Sequence, residues 1–119
     1  MLIPEAGVEI RSERSKGPID RWPTELTEAV FELEELPPNL AVRNFRPGDR
    51  FIPLGMTGHK KVKDLLIDAK VPLSIRAILP LLAMGQEVLW IPGYARSGIA
   101  RVSEKTQSIL RIKVVSIGA

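Results

Sequence analysis

The sequence predicts an α+β domain in which antiparallel or mixed β-sheets form a sandwich-like arrangement, with two short consecutive helices in the middle of the chain. Residue patterns typical of strands lie before residue 57 and after residue 80, whereas helical spacing is confined to the segment between them. Strands and helices that occupy separate parts of a chain favour an α+β domain over a βαβ repeat. Hydrophobic residues make up 45% of the 119 residues, which is enough to build the core of one domain.

The first forty residues predict two short strands with irregular connections. Val8–Glu13 begins with alternating apolar and polar residues, and Ser15–Pro18 has the composition of a turn. Glu28–Leu33 is compatible with a helix or a strand, because its apolar residues satisfy both periods. We expect a strand there, because Val30 and Phe31 have high β propensity.

A short strand and a tight turn follow. Ala41–Phe45 is the strand, and the Arg-Pro-Gly-Asp tetrapeptide at Arg46–Asp49 predicts a type II turn. Such a turn favours Pro at its second position and requires a positive φ at its third, where Gly stands here. We expect Asp49 to orient this turn. Pro53–Gly58, with two glycines, predicts a loop.

The clearest periodicity in the sequence predicts the first helix. One apolar stripe has the spacing i, i+3, i+4 and i+7, and consists of Val62, Leu65, Leu66 and Ala69. We expect this helix to begin within Thr57–His59 and to end before Val71. Pro72 suits the first turn of a second helix over Leu73–Leu79, which Pro80 ends.

The last part of the chain predicts a hairpin and a final strand. Leu81–Met84 and Glu87–Ile91 are apolar runs joined by Gly85-Gln86, and a two-residue loop with Gly first is typical of a type II′ turn. Ile109–Val115 alternates apolar and basic residues and predicts the last strand.

Composition indicates a cytoplasmic protein without a membrane span. The absence of cysteine excludes disulfides and fits a reducing compartment. No apolar run reaches the ~20 residues that a span requires, and the start of the chain does not resemble a signal peptide. The net charge of +3 is unevenly distributed: residues 1–40 hold four Lys/Arg against nine Asp/Glu, and residues 41–119 hold thirteen against five. A basic segment of this kind favours a polyanionic partner, although a solvated surface without a ligand is the alternative.

No catalytic or cofactor-binding motif is present, so we expect neither an enzymatic activity nor a cofactor for this chain alone. His59 is the single histidine, and no carboxylate close in sequence is an evident partner for it. Asp64 and Asp68 share a predicted helix face but lie within one turn of three lysines, so we expect ion pairs there and no metal site. Phosphate-binding glycine loops are also absent.

The feature that favours a function is a set of basic residues around the predicted turn and helices. Arginine forks and lysine ammonium groups bind phosphates, and Phe45, Phe51 and Tyr94 are too few to indicate a reader of unpaired strands. We therefore expect recognition of folded or double-helical RNA. A docking module for an acidic protein is the alternative. The candidate nucleic-acid-binding residues are Arg43, Arg46, Arg50, Lys60, Lys61, Lys63 and Arg76.

Several motifs in this region resemble those of a known family. They are RNFRPGDRF at 43–51, PLGMTGHKKVKDLLIDAKVP at 53–72, Arg76, Pro80, and LWIPG at 89–93. Together they are similar to the C-terminal domain of bacterial tRNA(Ile)-lysidine synthase, over roughly residues 41–95. The turn motif alone would be weak; with the later motifs at the right distances, the resemblance is specific.

This resemblance implies a basic tRNA-binding domain at residues 41–119. The acidic residues 1–40 would belong to the same domain or would link it to a catalytic domain. In the family, a PP-loop ATPase domain uses ATP and lysine, with Mg²⁺, to convert the wobble cytidine of an isoleucine tRNA into lysidine. Its SGGxDS motif is absent here. The resemblance also implies a contact near the acceptor stem of tRNA, and a fold related to one in phenylalanyl-tRNA synthetase. It assigns no role to His59.

Overall fold

The computed structural model describes residues 2–3 and 8–116, and strands dominate this part of the chain. A 3₁₀ turn, Leu33–Glu35, follows the third strand. The elements are β1 (Leu2–Ile3), β2 (Val8–Lys16), β3 (Glu28–Glu32), β4 (Ala41–Asn44), β5 (Arg50–Phe51), β6 (Lys60–Lys61), α1 (Val62–Asp68), α2 (Leu73–Arg76), β7 (Pro80–Met84), β8 (Glu87–Ile91), β9 (Ala95–Arg96) and β10 (Ser108–Ser116). None of the helices in the described ranges is long and apolar enough to cross a membrane.

The strands form two sheets. The terminal sheet has the order β1-β2-β10-β3 and is antiparallel throughout. Its central strand β10 pairs with β2 from Ser108, opposite Lys16, to Ser116, opposite Val8. The central sheet has the order β4-β7-β8-β5-β6, with β9 paired to β8. It is mixed, because β5 and β8 are parallel.

The central sheet lies between the terminal sheet and the helices, so both of its faces are buried. Alternate residues of β7 point to opposite sides. Leu81 packs with Leu66 and Val62 of α1 in one hydrophobic cluster. Leu82 packs with Phe31 of the terminal sheet in a second cluster. The predicted α+β architecture with mixed sheets and two short consecutive helices is therefore confirmed.

Several elements match their predictions closely. Glu28–Glu32 is a strand, and β7 and β8 pair as a hairpin around Gly85, whose φ of 57° fits the predicted turn. The type II turn is also present: Gly48 has φ 93°, and the Asp49 N–H donates to Arg46 O at 3.1 Å.

The predicted start of the first helix was wrong. Lys60 and Lys61 form β6, which pairs with β5, and the helix begins only at Val62. As a strand, Lys60 and Lys61 pair with the backbone of β5. Immediately after them, the Val62 N–H donates to Asp49 O at 2.9 Å. Tertiary pairing therefore overrides the local helical pattern.

Two other boundaries also differ. The second helix ends at Arg76, before the predicted Leu79, because the next N–H groups form i−3 hydrogen bonds: Ile78 donates to Ile75 O and Leu79 donates to Arg76 O. The turn predicted at Ser15–Pro18 begins later, because Ser15 and Lys16 continue β2 against β10. The Gly17 N–H then donates to Gln107 O at 2.7 Å.

Arg96 links the two sheets from the interior. It stands on β9 of the central sheet, and its guanidinium donates to Val30 O of the terminal sheet at 2.5 Å. It also donates to Ser97 O and Ile99 O, both at 2.8 Å, and lies 4.4 Å from the centre of the Phe31 ring. Burial, with a smaller contribution from the charge of Arg101, lowers the pKa of Arg96 to about 10. Arg96 is therefore a cationic cross-link that remains protonated at neutral pH.

Glu28 joins the irregular segment before β3 to the terminal sheet. Its carboxylate accepts hydrogen bonds from Arg21 at 3.1 Å and from Arg111 at 2.7 Å. These bonds, that of Arg21 first, lower the pKa of Glu28 although its burial opposes them. The folded state thus favours the ionised carboxylate. Its stabilising contribution is complete above the ordinary pKa of 4.5 and is lost as the pH falls through the lowered value.

We expect the Tm of Glu28→Gln to fall less than that of the wild type between about pH 6 and pH 3. The reason is that the variant has no carboxylate at this position that becomes protonated on acidification. Thermal unfolding monitored by circular dichroism across this range measures the slope of Tm with pH. Glu104→Gln removes an exposed acid and is expected to keep the wild-type slope. A Glu28→Gln slope equal to that of the wild type would contradict the prediction.

Candidate nucleic-acid interface

The turn at Arg46–Asp49 is held by a buried carboxylate. Asp49 is only 1% exposed, and its Oδ2 accepts the backbone N–H of Arg46 at 2.8 Å. Both carboxylate oxygens also bind Arg43, at 2.7 Å from Oδ1 to Nη2 and 2.9 Å from Oδ2 to Nη1. This fork-to-fork pair fixes the path of the chain that presents Arg46 and Arg50. Asp49 thus orients the turn, as expected from the sequence.

Arg43 also connects the turn to the tip of the β7–β8 hairpin through hydrogen bonds. Arg43 Nη2 donates to Gly85 O at 2.6 Å, and Nη1 donates to Asn44 O at 2.9 Å. The Arg50 N–H donates to Gln86 O at 3.0 Å. The guanidinium of Arg43 therefore supports the site from within, and its side chain is only 12% exposed.

Arg50 and Lys61 stand directly opposite each other on β5 and β6, and both are exposed. Like charges in such a pair destabilise a sheet unless an anion lies between or above them. Within residues 8–116, four basic residues of the predicted set form neither an ion pair nor a side-chain hydrogen bond; we call them the unpaired cations. They are Arg46, Arg50, Lys61 and Lys63.

The remaining members of the predicted set have partners inside the protein. Because neighbouring strand residues point to opposite faces, Lys60 lies on the side of the buried Phe51 and not with Lys61. Its Nζ lies 3.2 Å from Asp68 Oδ2, as expected for the helix carboxylates. Arg76 donates from Nε to Val71 O at 2.8 Å. The seven candidates therefore comprise four unpaired cations and three cations with structural contacts.

His59 has a carboxylate partner that its sequence neighbourhood does not reveal. Its Nε2 lies 2.8 Å from Oε1 of Glu87, which is 28 residues away on β8. The pair ties the β5–β6 loop to β8 beside Arg50. In the described ranges, no group of three or more His, Cys, Asp or Glu residues is arranged to hold a metal ion.

The aromatic residues of the predicted region are mainly core residues. Phe51 is buried, and Phe45 and Tyr94 pack against the same cluster. Sequence reasoning overlooked Trp22, which is 51% exposed and borders a cavity of about 400 Å³ between the two sheets. In the sequence, its exposure is indicated by its position next to Pro23 in an acidic segment without regular periodicity.

The fold and the exposed unpaired cations define a small α+β domain with a basic surface. The chain belongs to the TilS substrate C-terminal domain family, whose sequence model matches residues 40–113. This confirms the family resemblance seen in the motifs.

Two relatives are tRNA(Ile)-lysidine synthases. The chain is 42% identical over 108 residues to that of Geobacter sulfurreducens, covering 91% of this chain and 23% of the relative. It is 43% identical over 114 residues to that of Symbiobacterium thermophilum, covering 94% and 23%. The chain thus spans about a quarter of the length of these curated relatives.

Solved structures have the same fold. A crystal structure of a TilS C-terminal domain has a TM-score of 0.81 at 28% identity, over 96% of this chain and 88% of that one. An N-terminal fragment of the phenylalanyl-tRNA synthetase β-subunit from Pyrococcus horikoshii has a TM-score of 0.59 at 20% identity, over 73% of this chain and 27% of that one. The second likeness concerns the fold alone and agrees with the fold relation that the family resemblance implied.

Proposed function

We propose that this chain is a tRNA-binding domain of a tRNA(Ile)-lysidine synthase and that its unpaired cations contact the tRNA backbone. The observation that carries the proposal is the exposed cross-strand pair of Arg50 and Lys61, neither of which forms an ion pair within residues 8–116. Glu87, opposite Arg50 on β8, is bonded to His59. A phosphate beside this pair would relieve the repulsion of the two charges. Arg46, on the adjacent turn, and Lys63, on α1, are the other two unpaired cations, and both are exposed.

The proposal divides the basic residues by role. The unpaired cations make the phosphate contacts, and the ammonium of Lys60 joins them when it releases Asp68. Arg43 and Arg76 act through backbone carbonyls, which hold the turn and the α1–α2 connection in place. Because exposed aromatic rings are scarce around these cations, the contacts favour the shape and phosphates of double-helical RNA over stacked bases.

The wider context is part of the same proposal. The acceptor stem of the tRNA is the double-helical region that this domain contacts. Residues 1–40 complete the basic domain or lead into the catalytic part of the enzyme. That PP-loop domain supplies the chemistry that joins lysine to the wobble cytidine with ATP and Mg²⁺, while this chain contributes neither a catalytic group nor a cofactor ligand. The tRNA and the catalytic domain are its partners, and the cytoplasm is its compartment.

A titration with tRNA(Ile) at two salt concentrations tests the function. Four phosphate contacts predict roughly a hundredfold weakening over a fourfold rise in salt. The triple variant Arg50→Ala/Lys61→Ala/Lys63→Ala is expected to weaken binding strongly and to lower the salt slope by about 2–3. Fluorescence anisotropy of labelled tRNA measures both quantities.

The matched control removes the same charge from another part of the surface. Arg14→Ala/Lys16→Ala/Lys105→Ala changes three exposed cations near the terminal sheet and is expected to keep most of the affinity. Equal losses in the two triple variants would mean that net charge alone attracts RNA. Absence of wild-type binding at low salt would contradict the proposal and favour the alternative of an acidic protein partner.

A further inference from the structure

Gln86 stands at the tip of the β7–β8 hairpin, beside the unpaired cations. It is exposed, and its side chain lies across the backbone of Gly48 on the neighbouring turn. A Cβ atom built on Gly48 would lie only 2.8 Å from Gln86 Nε2, so a residue with a side chain would displace the amide. Within the described ranges, the amide of Gln86 forms no side-chain hydrogen bond, and its two donors and its acceptor are available.

The backbone of this tip is fixed from two directions. Gly85 O accepts a hydrogen bond from the partly buried guanidinium of Arg43, and Gln86 O accepts one from the N–H of Arg50. The peptide groups on both sides of the tip are therefore bonded to the segment that carries the cations. A polar group on a rigid support loses little conformational freedom when it binds, so its hydrogen bonds contribute more to affinity.

We propose that Gln86 is a specificity-determining residue that hydrogen-bonds to base edges or 2′-hydroxyls in the shallow minor groove of an RNA duplex. The inference rests on the proposed function and deepens it. Lysine and arginine contacts to phosphates position a protein on a duplex without reading its sequence, whereas an amide both donates and accepts hydrogen bonds. The minor groove of A-form RNA is wide and shallow and displays both base edges and 2′-hydroxyls, so a narrow two-residue tip fits it.

The test is the binding of Gln86→Ala to a panel of RNAs. The panel contains tRNA(Ile), the same tRNA with single base-pair exchanges in the acceptor stem, and acceptor-stem duplexes with single 2′-deoxy substitutions. We expect Gln86→Ala to bind tRNA(Ile) about 5- to 10-fold more weakly. We expect it to lose most of the discrimination between this tRNA and one exchanged or 2′-deoxy RNA. The salt slope should stay unchanged, because no phosphate contact is removed.

Two further variants sharpen the outcome. Gln86→Glu keeps the length of the side chain but replaces the donors with a negative charge, and is expected to weaken binding more than Gln86→Ala. Gln107→Ala changes another exposed glutamine, next to β10, and is expected to match the wild type. Wild-type discrimination in Gln86→Ala overturns this inference and leaves the proposed function standing. Failure of the wild-type domain to bind any RNA overturns both.

Discussion

Asp49→Ala is expected to lower the free energy of unfolding by about 3–5 kcal/mol, because it leaves the guanidinium of Arg43 buried without its counter-charge. It also removes the acceptor for the backbone N–H of Arg46 and so loosens the turn. At about 4 °C per kcal/mol the drop in Tm exceeds 10 °C. Urea unfolding followed by tryptophan fluorescence measures the difference.

Two further variants separate the contribution of the Arg43–Asp49 ion pair from other effects of the substitution. Asp68→Ala removes an exposed carboxylate that also has a basic partner, and is expected to cost no more than about 1 kcal/mol. Arg43→Met/Asp49→Ala removes both charges, and is expected to be less destabilised than Asp49→Ala alone. A cost for Asp49→Ala as small as that for Asp68→Ala would show that Arg43 is not held by this carboxylate.

Arg96→Ala is expected to destabilise the protein by about 2–4 kcal/mol, because three backbone carbonyls lose their donor at once. They belong to Val30, Ser97 and Ile99, so the loss separates β9 from β3 across the two sheets. The cation–π contact with Phe31 is lost as well. Thermal and urea unfolding measure the effect.

Arg96→Lys separates the charge of this residue from its geometry. A lysine keeps the positive charge, but its compact ammonium cannot reproduce the planar fork, so we expect a stability between wild type and Arg96→Ala. Arg101→Ala, which removes an exposed arginine nearby, is expected to stay within about 0.5 kcal/mol of the wild type. If Arg96→Ala equalled Arg101→Ala, the cross-link between the sheets would be unimportant for stability.

Local signals explain which elements could be predicted from the sequence. The Pro47-Gly48 turn and the Gly85-Gln86 hairpin depend on residues that require or permit a positive φ, and both occur where predicted. β6 could not be foreseen, because its two lysines continue the helical pattern of α1 and become a strand only through pairing with β5. The extension of β2 likewise depends on β10, which lies far away in the sequence.

The candidate site was only partly accessible to sequence reasoning for the same physical reason. Basic residues can be counted in a sequence, but their partners cannot be seen there. Arg43 and Arg46 are equivalent in the motif, yet one pairs with a buried carboxylate while the other stays exposed. The partnership of His59 with Glu87 and the burial of Arg96 also depend on contacts between distant parts of the chain.

The position of β10 in the middle of the terminal sheet has a consequence for synthesis on the ribosome. β2 and β3 do not pair with each other. Both pair with β10, which is synthesised about ninety residues after β2. The central sheet and its helices can assemble on the nascent chain earlier, but the side of β7 and β8 that bears Leu82 and Trp90 then stays uncovered. Closure of the sandwich therefore requires the synthesis of β10, and a chain whose synthesis stops before residue 108 presents that apolar face to chaperones.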